Sequence, residues 1–100
     1  MTSGKREDWA QEGTFIASDG TSVRAYDDVF LLESVPVRDQ GVGGPWEEVP
    51  SGSQATVLFF TANAPVELDL ECYFEDGFCF AQTTAANVRL AMRNEEKYPR

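Results

Sequence analysis

The 100-residue sequence contains no histidine, and this absence excludes more chemistry than any other feature of its composition. Histidine is the commonest general base near neutral pH and the commonest metal ligand. Without it, neither a Ser-His nor a Cys-His nucleophilic pair can form. The two lysines, Lys5 and Lys97, lie near the ends of the chain. We therefore expect that the protein is not an enzyme and uses no cofactor and no metal.

Positive charge is also scarce, with eight Lys and Arg against 17 Asp and Glu and a net charge of −9. The stretch between Asp39 and Val88 contains no Lys or Arg. Nucleic-acid backbones are bound by clustered Lys and Arg, so we do not expect direct nucleic-acid binding. A strongly acidic protein is suited to meet a basic surface on a partner protein.

Long apolar runs are missing as well. No segment approaches the roughly 20 apolar residues of a membrane-spanning helix. The first nine residues, MTSGKREDW, are charged and lack the apolar segment of a secretory signal. These features predict a cytoplasmic protein without membrane contact.

From Val66 to Phe74, apolar residues at every second position alternate with Glu67, Asp69, Glu71 and Tyr73. Such alternation is typical of a strand with one buried face and one solvent-facing face. The dipeptide Asp76-Gly77 then predicts a tight turn, and Phe78–Phe80 a returning strand. This stretch therefore predicts a β-hairpin with an acidic outer face.

The register of this hairpin decides which face Phe78 and Phe80 occupy. A two-residue loop of Asp76-Gly77 would place both rings on the acidic face. A three-residue loop of Glu75, Asp76 and Gly77 would pair Phe74 with Phe78 and place both rings on the apolar face. Because a slip of one residue inverts every face, burial favours the three-residue loop.

The cysteines, Cys72 and Cys79, fall on opposite faces in that register. Their spacing is not that of a C-x-x-C site, and no histidine is available to complete a zinc site. We expect buried structural thiols, with a disulfide as the alternative.

Similar patterns recur along the rest of the chain. They predict a hairpin around Asp19-Gly20, a mostly buried strand over 29–37 with Pro36 at an edge or bulge, a long loop over 38–54 and a central strand over 55–61.

The segment 85–94 fits two structures. Val88, Ala91 and Met92 follow helical spacing, whereas Val88, Leu90 and Met92 also alternate as in a strand. As a strand, it would offer its two arginines to the acidic strand as cross-strand partners.

These elements predict a mainly β fold, a small antiparallel barrel or curled sheet of five or six strands built from hairpins. A helical tail would instead give an α+β fold with a C-terminal helix on the sheet. We expect a loosely ordered arm over 1–12, one β-rich domain over 13–94 and a flexible tail over 95–100.

The residues expected to contact a partner combine acidic positions with one tryptophan of the long loop. Aligned charges on one sheet face steer a protein toward a basic patch. Trp46 either packs back over the end of the core or anchors a partner, and Trp9 has the same two interpretations. The acidic spacing does not match a calcium loop. The predicted partner-binding residues are Trp46, Glu47, Glu48, Glu67, Asp69, Glu71, Glu75 and Asp76.

The sequence thus favours a small acidic protein-binding module, such as an inhibitor or immunity-type protein that covers a basic site on its partner. One alternative is a barrel that binds a small apolar ligand between Phe59, Leu70, Phe74 and Phe80. Another is an architectural subunit of an assembly, for which a homodimer is one form.

Overall fold

The computed structural model describes residues 9–97, so residues 1–8 of the predicted arm and 98–100 of the predicted tail lie outside it. The strands are β1 Trp9–Ala10, β2 Phe15–Ile16, β3 Ser22–Val23, β4 Asp28–Leu31, β5 Val35–Val42, β6 Glu48–Val49, β7 Gln54–Thr61, β8 Glu67–Phe74, β9 Gly77–Thr84 and β10 Val88–Met92. A 3₁₀-helix, Ala85–Asn87, precedes β10, and a four-residue helix α1, Asn94–Lys97, follows it.

Seven strands form one curled antiparallel sheet, a half-barrel, in the order β10-β4-β7-β8-β9-β5-β6. Strand β1 pairs with the end of β7, and β2 with β3 forms a separate hairpin. The predicted mainly β fold with a curled antiparallel sheet is confirmed. Trp9 of β1 is buried, with 8% of its surface exposed, and so is not an exposed anchor.

The core lies on the inner face of the curl. In β8, Leu68, Leu70 and Cys72 are fully buried, as the alternation predicts. They pack with the inward residues of β4, β7 and β10, of which Val29, Val57 and Val88 are fully buried. The predicted central strand is β7, which lies between β4 and β8. The predicted first hairpin is also present, with Gly20 at φ +84° in its turn.

The strand predicted over 29–37 and the loop predicted over 38–54 are wrong. Strand β4 ends at Leu31, and β5 begins at Val35 in another part of the sheet and continues to Val42. Two irregularities bend β5 along β9. A Cβ atom at Gly41 would lie 2.3 Å from the carbonyl oxygen of Phe78. The glycine that indicates a loop in the sequence therefore permits close strand pairing.

The predicted register of the β8–β9 hairpin is also wrong. Phe74 pairs with Gly77 across a two-residue turn, and Tyr73 pairs with Phe78. Phe78 and Phe80 consequently lie on the outer face, which is not purely acidic. Gly77 does not have a positive φ. Instead, a Cβ atom at Gly77 would lie 1.7 Å from the carbonyl oxygen of Val42.

The inner face of β9 explains this register. Its inward positions hold small residues, Gly77, Cys79, Ala81 and Thr83, of which Cys79 and Ala81 are fully buried. Because the Val42 carbonyl of β5 lies against Gly77, a phenylalanine opposite Phe74 would find no room. The close approach of β5 therefore selects a register that places Phe78 and Phe80 on the outer face.

Residues 88–92 form a strand, which is one of the two predicted structures. The prediction that this strand pairs with the acidic strand is wrong. Strand β10 pairs with β4, so Arg89 does not face the acidic strand β8, and Arg93 lies just after β10. The guanidinium carbon of Arg89 instead lies 4.6 Å from the centre of the Phe30 ring. This is a cation–π contact, and the register places it on the same outer face of the sheet as Tyr73.

Candidate functional site

Three aromatic side chains form a continuous patch on the outer face of β8 and β9. The aromatic patch consists of Tyr73, Phe78 and Phe80, with ring-centre distances of 6.2 Å for Tyr73–Phe78 and 5.7 Å for Phe78–Phe80. Tyr73 is 58% exposed, and Val42, which pairs with Phe78 from β5, is 61% exposed. Large apolar side chains grouped in this way are typical of an interaction surface.

Carboxylates border the aromatic patch. Glu71 and Asp39 pair with Phe80 from its two sides, and the Tyr73 hydroxyl donates a hydrogen bond to Glu71. The exposed Glu75 and Asp76 form the adjoining turn. Four acidic residues therefore border the rings. Three of these acids, Glu71, Glu75 and Asp76, were predicted from the sequence to bind a partner.

The other predicted acidic residues of β8 lie farther from the patch. Asp69 is 13% exposed in its side chain and accepts a 3.0 Å hydrogen bond from Arg38. Burial raises the pKa of Asp69, although Arg38 opposes that shift. Glu67 is half-buried at the start of the strand, where its backbone N–H donates to Thr61. We assign Asp69 to the structural support of the sheet.

The loop before β6 holds the remaining predicted residues. The Trp46 ring packs 4.8 Å from the ring of Phe74, on the side of the sheet opposite the aromatic patch. The Gln40 side chain accepts a hydrogen bond from the Trp46 N–H and donates one to its carbonyl. Glu47 and Glu48 are exposed beside it. This loop and the aromatic patch form two separate surfaces.

A groove of about 350 Å³ adjoins the aromatic patch. Its lining includes Tyr26, Asp28, Thr56, Glu71, Tyr73 and Lys97. The Lys97 ammonium donates to Asp28 at 2.6 Å and to the Tyr26 carbonyl at 2.7 Å. We call it the Lys97 groove. It shares Glu71 and Tyr73 with the patch surface, so the two features are continuous.

The four side chains predicted to line an apolar interior do not meet there. Phe80 and Phe59 lie on the outer face, opposite Glu71 and Asp69, whereas Leu70 is buried on the inner face. Among the described residues, no group of three or more His, Cys, Asp or Glu is placed to hold a metal ion. No helix within residues 9–97 is long and apolar enough to cross a membrane.

Cys72 and Cys79 face each other directly across β8 and β9, not from opposite faces as predicted. Both are free thiols with no exposed surface. Burial raises the pKa of Cys72 to about 12 and also raises the pKa of Cys79. Since the thiolate is the nucleophile, both side chains are inert parts of the core.

We therefore expect iodoacetamide to leave both cysteines unlabelled in the folded protein. At pH 8, a pKa of about 12 instead of 9.0 lowers the thiolate fraction about a thousandfold. Mass spectrometry measures the extent of cysteine labelling in samples treated with and without guanidinium chloride. Rapid labelling in the native state would contradict the buried pair.

Sequence reasoning placed Tyr73 on the outer face but missed the two phenylalanines, because the register was wrong. It also missed the Lys97 groove, since Asp28 and Lys97 are far apart in the chain and carry no shared motif. Comparison with known proteins finds no matching family model, no matching curated protein and no matching solved structure.

Proposed function

We propose that this chain is an acidic protein-binding module that docks on a basic surface of a partner protein through its aromatic patch. The observation that supports this most directly is the aromatic patch on the outer face, in which Tyr73 is exposed and Phe78 and Phe80 are half-buried, with carboxylates on its borders. Aromatic side chains supply much of the binding energy of interfaces, and a rim of charges sets partner choice and association rate.

The charge distribution favours a partner other than a second copy of the chain. Two copies would each bring a net charge of −9 and the same acidic border to the contact. Like charges across an interface oppose association, whereas Lys and Arg on a partner would pair with Glu75 and Asp76 and stack on the rings. In its concrete form, the protein is an inhibitor or immunity-type protein that covers a functional basic site.

Substitution of the patch tests this function. The chain is used as bait in an extract of its native cells, and the affinity of each captured protein is then measured. For the true partner, we expect Tyr73→Ser or Phe78→Ser to weaken binding about tenfold or more. The matched control is Ile16→Ser, which removes a side chain 58% exposed on the separate β2–β3 hairpin.

A charge-matched pair of variants tests the acidic border. Glu75→Gln/Asp76→Asn and Glu12→Gln/Glu33→Gln each remove two exposed carboxylates, but only the first pair adjoins the patch. We expect the first to weaken binding and to flatten its dependence on salt concentration, because those charges pair with the partner. Equal effects of the two double variants, or unchanged affinity in the patch variants, would contradict the proposal.

A further inference from the structure

We propose that the Lys97 groove is a binding site for the ammonium or guanidinium group of a partner's basic side chain, and that Lys97 occupies this site in the free protein. The inference rests on the proposed function, because it names the chemistry that the partner brings next to the aromatic patch. The groove and the patch share Tyr73, and Glu71 lines the groove and borders the patch, so one basic segment can contact both.

The anionic group of the groove is held in place independently of Lys97. The Asp28 carboxylate accepts hydrogen bonds from Thr56 Oγ1 at 2.7 Å and from Gln54 Nε2 at 2.8 Å. Both donors lie on β7, the neighbouring strand in the sheet. The carboxylate therefore stays oriented when the ammonium leaves, which is what a preorganised cation site requires.

The Tyr26 carbonyl supplies the second acceptor through an uncommon backbone conformation. Tyr26 has φ +74°, and it is the one described non-glycine residue with a positive φ. Its N–H donates to the Val57 carbonyl at 2.7 Å, which holds this conformation. Strained residues of this kind concentrate at binding sites. Here the residue with this conformation is also the one whose carbonyl accepts a hydrogen bond from the Lys97 ammonium.

Aromatic rings flank this site. Tyr26 is 46% exposed and Tyr73 58% exposed, and both contribute to the lining of the groove. A cation is attracted by the face of an aromatic ring, and a guanidinium group in particular stacks on it. The protein already uses this contact on the same face of the sheet, where Arg89 lies over Phe30.

Polar contacts hold the segment that carries Lys97. None of the four residues of α1 is buried. The helix is tied at its start by Asn94, whose N–H donates to Asp27, and along its length by the exposed Glu95–Arg24 pair. The Lys97 side chain can therefore leave the groove by rotation about its own bonds while the start of the helix stays attached.

The experiment measures the affinity of an octa-arginine peptide for two variants with the same net charge. Lys97→Ala empties the groove, whereas Arg24→Ala removes an equal charge from a contact of the same helix outside it. We expect Lys97→Ala to bind the peptide at least about fivefold more tightly than Arg24→Ala, because an internal competitor is lost. Adding Asp28→Asn to Lys97→Ala should abolish that gain.

Equal affinities for the Lys97→Ala and Arg24→Ala variants would overturn the groove proposal. If Phe78→Ser still weakened peptide binding in that case, the proposed function would stand without it. Absence of peptide binding by the wild type and by Lys97→Ala at low salt would overturn both. If the groove binds the peptide, the backbone NMR shifts of Asp28 and Thr56 change on peptide addition, and this change locates the site.

Discussion

Replacement of Gly77 by alanine is expected to lower the free energy of unfolding by about 3 kcal/mol or more. A Cβ atom at this position would lie 1.7 Å from the carbonyl oxygen of Val42 and 3.0 Å from the Trp46 ring. Overpacking of a core costs about 1–3 kcal/mol when side chains can adjust. Here the obstacle is backbone, so β5 must separate from β9. Chemical denaturation monitored by tryptophan fluorescence measures the change.

Gly52→Ala is the matched control for this prediction. Gly52 has φ +85° with no heavy atom within 4 Å of an added Cβ, so alanine there introduces backbone strain without a clash. We expect a loss of about 1 kcal/mol for Gly52→Ala. A loss for Gly77→Ala no larger than for Gly52→Ala would show that β5 and β9 can accommodate the methyl group, and would contradict the close approach.

Glycine has two roles in this fold, one in a turn and one at a close approach of two strands, and only the first could be predicted from the sequence. The turn at Asp19-Gly20 is local, and its outcome follows from residues within a few positions. The alternation in β8 is local as well, so its buried and outer faces were predicted correctly. Gly77 differs, because the backbone that excludes a side chain there belongs to β5, 35 residues earlier.

The register error followed from the same nonlocal contact. Burial of Phe78 was a sound expectation for an isolated hairpin, since apolar side chains prefer the inner face. The close approach of β5 reverses this preference by leaving no room for a side chain at Gly77, the position opposite Phe74. The acidic border of the candidate site could therefore be predicted from composition, whereas its aromatic centre could not.

The Lys97 groove was beyond prediction for a related reason. Its cation and its carboxylate come from α1 and β4, which have no sequence pattern in common. Only the path of the chain after β10 brings them together. That path depends on one buried carboxylate, Asp27, which joins the first hairpin, the sheet and the C-terminal segment.

The side chain of Asp27 is 1% exposed and connects three parts of the chain. Its carboxylate accepts hydrogen bonds from the backbone N–H of Arg24 at 2.9 Å and of Asn94 at 2.7 Å. The guanidinium of Arg93 lies 3.7 Å away. The backbone N–H of Asp27 donates to the Arg24 carbonyl, and the carbonyl of Asp27 accepts from the Val57 N–H. These two bonds fix the position of the Asp27 side chain. Removal of the carboxylate would leave two backbone N–H donors without their acceptor, whereas Arg93 Nη1 would keep its hydrogen bond to the Ser22 carbonyl.

We expect Asp27→Ala to lower the free energy of unfolding by about 3 kcal/mol, because two backbone N–H groups lose a charged acceptor and each such hydrogen bond contributes about 1.5–3 kcal/mol. Asp27→Asn, which keeps one acceptor oxygen, should lower the free energy of unfolding less.

Asp19→Ala is the exposed control. Asp19 also accepts a hydrogen bond from a backbone N–H, that of Thr21, but it does so in solvent. The free energy of unfolding should therefore fall far less for Asp19→Ala. Chemical denaturation of the three variants measures these differences. Similar losses for Asp27→Ala and Asp19→Ala would show that the buried carboxylate does not hold the C-terminal segment in place. In the expected case, the amide of Asn94 also loses its protection from hydrogen exchange, because the attachment of α1 depends on Asp27.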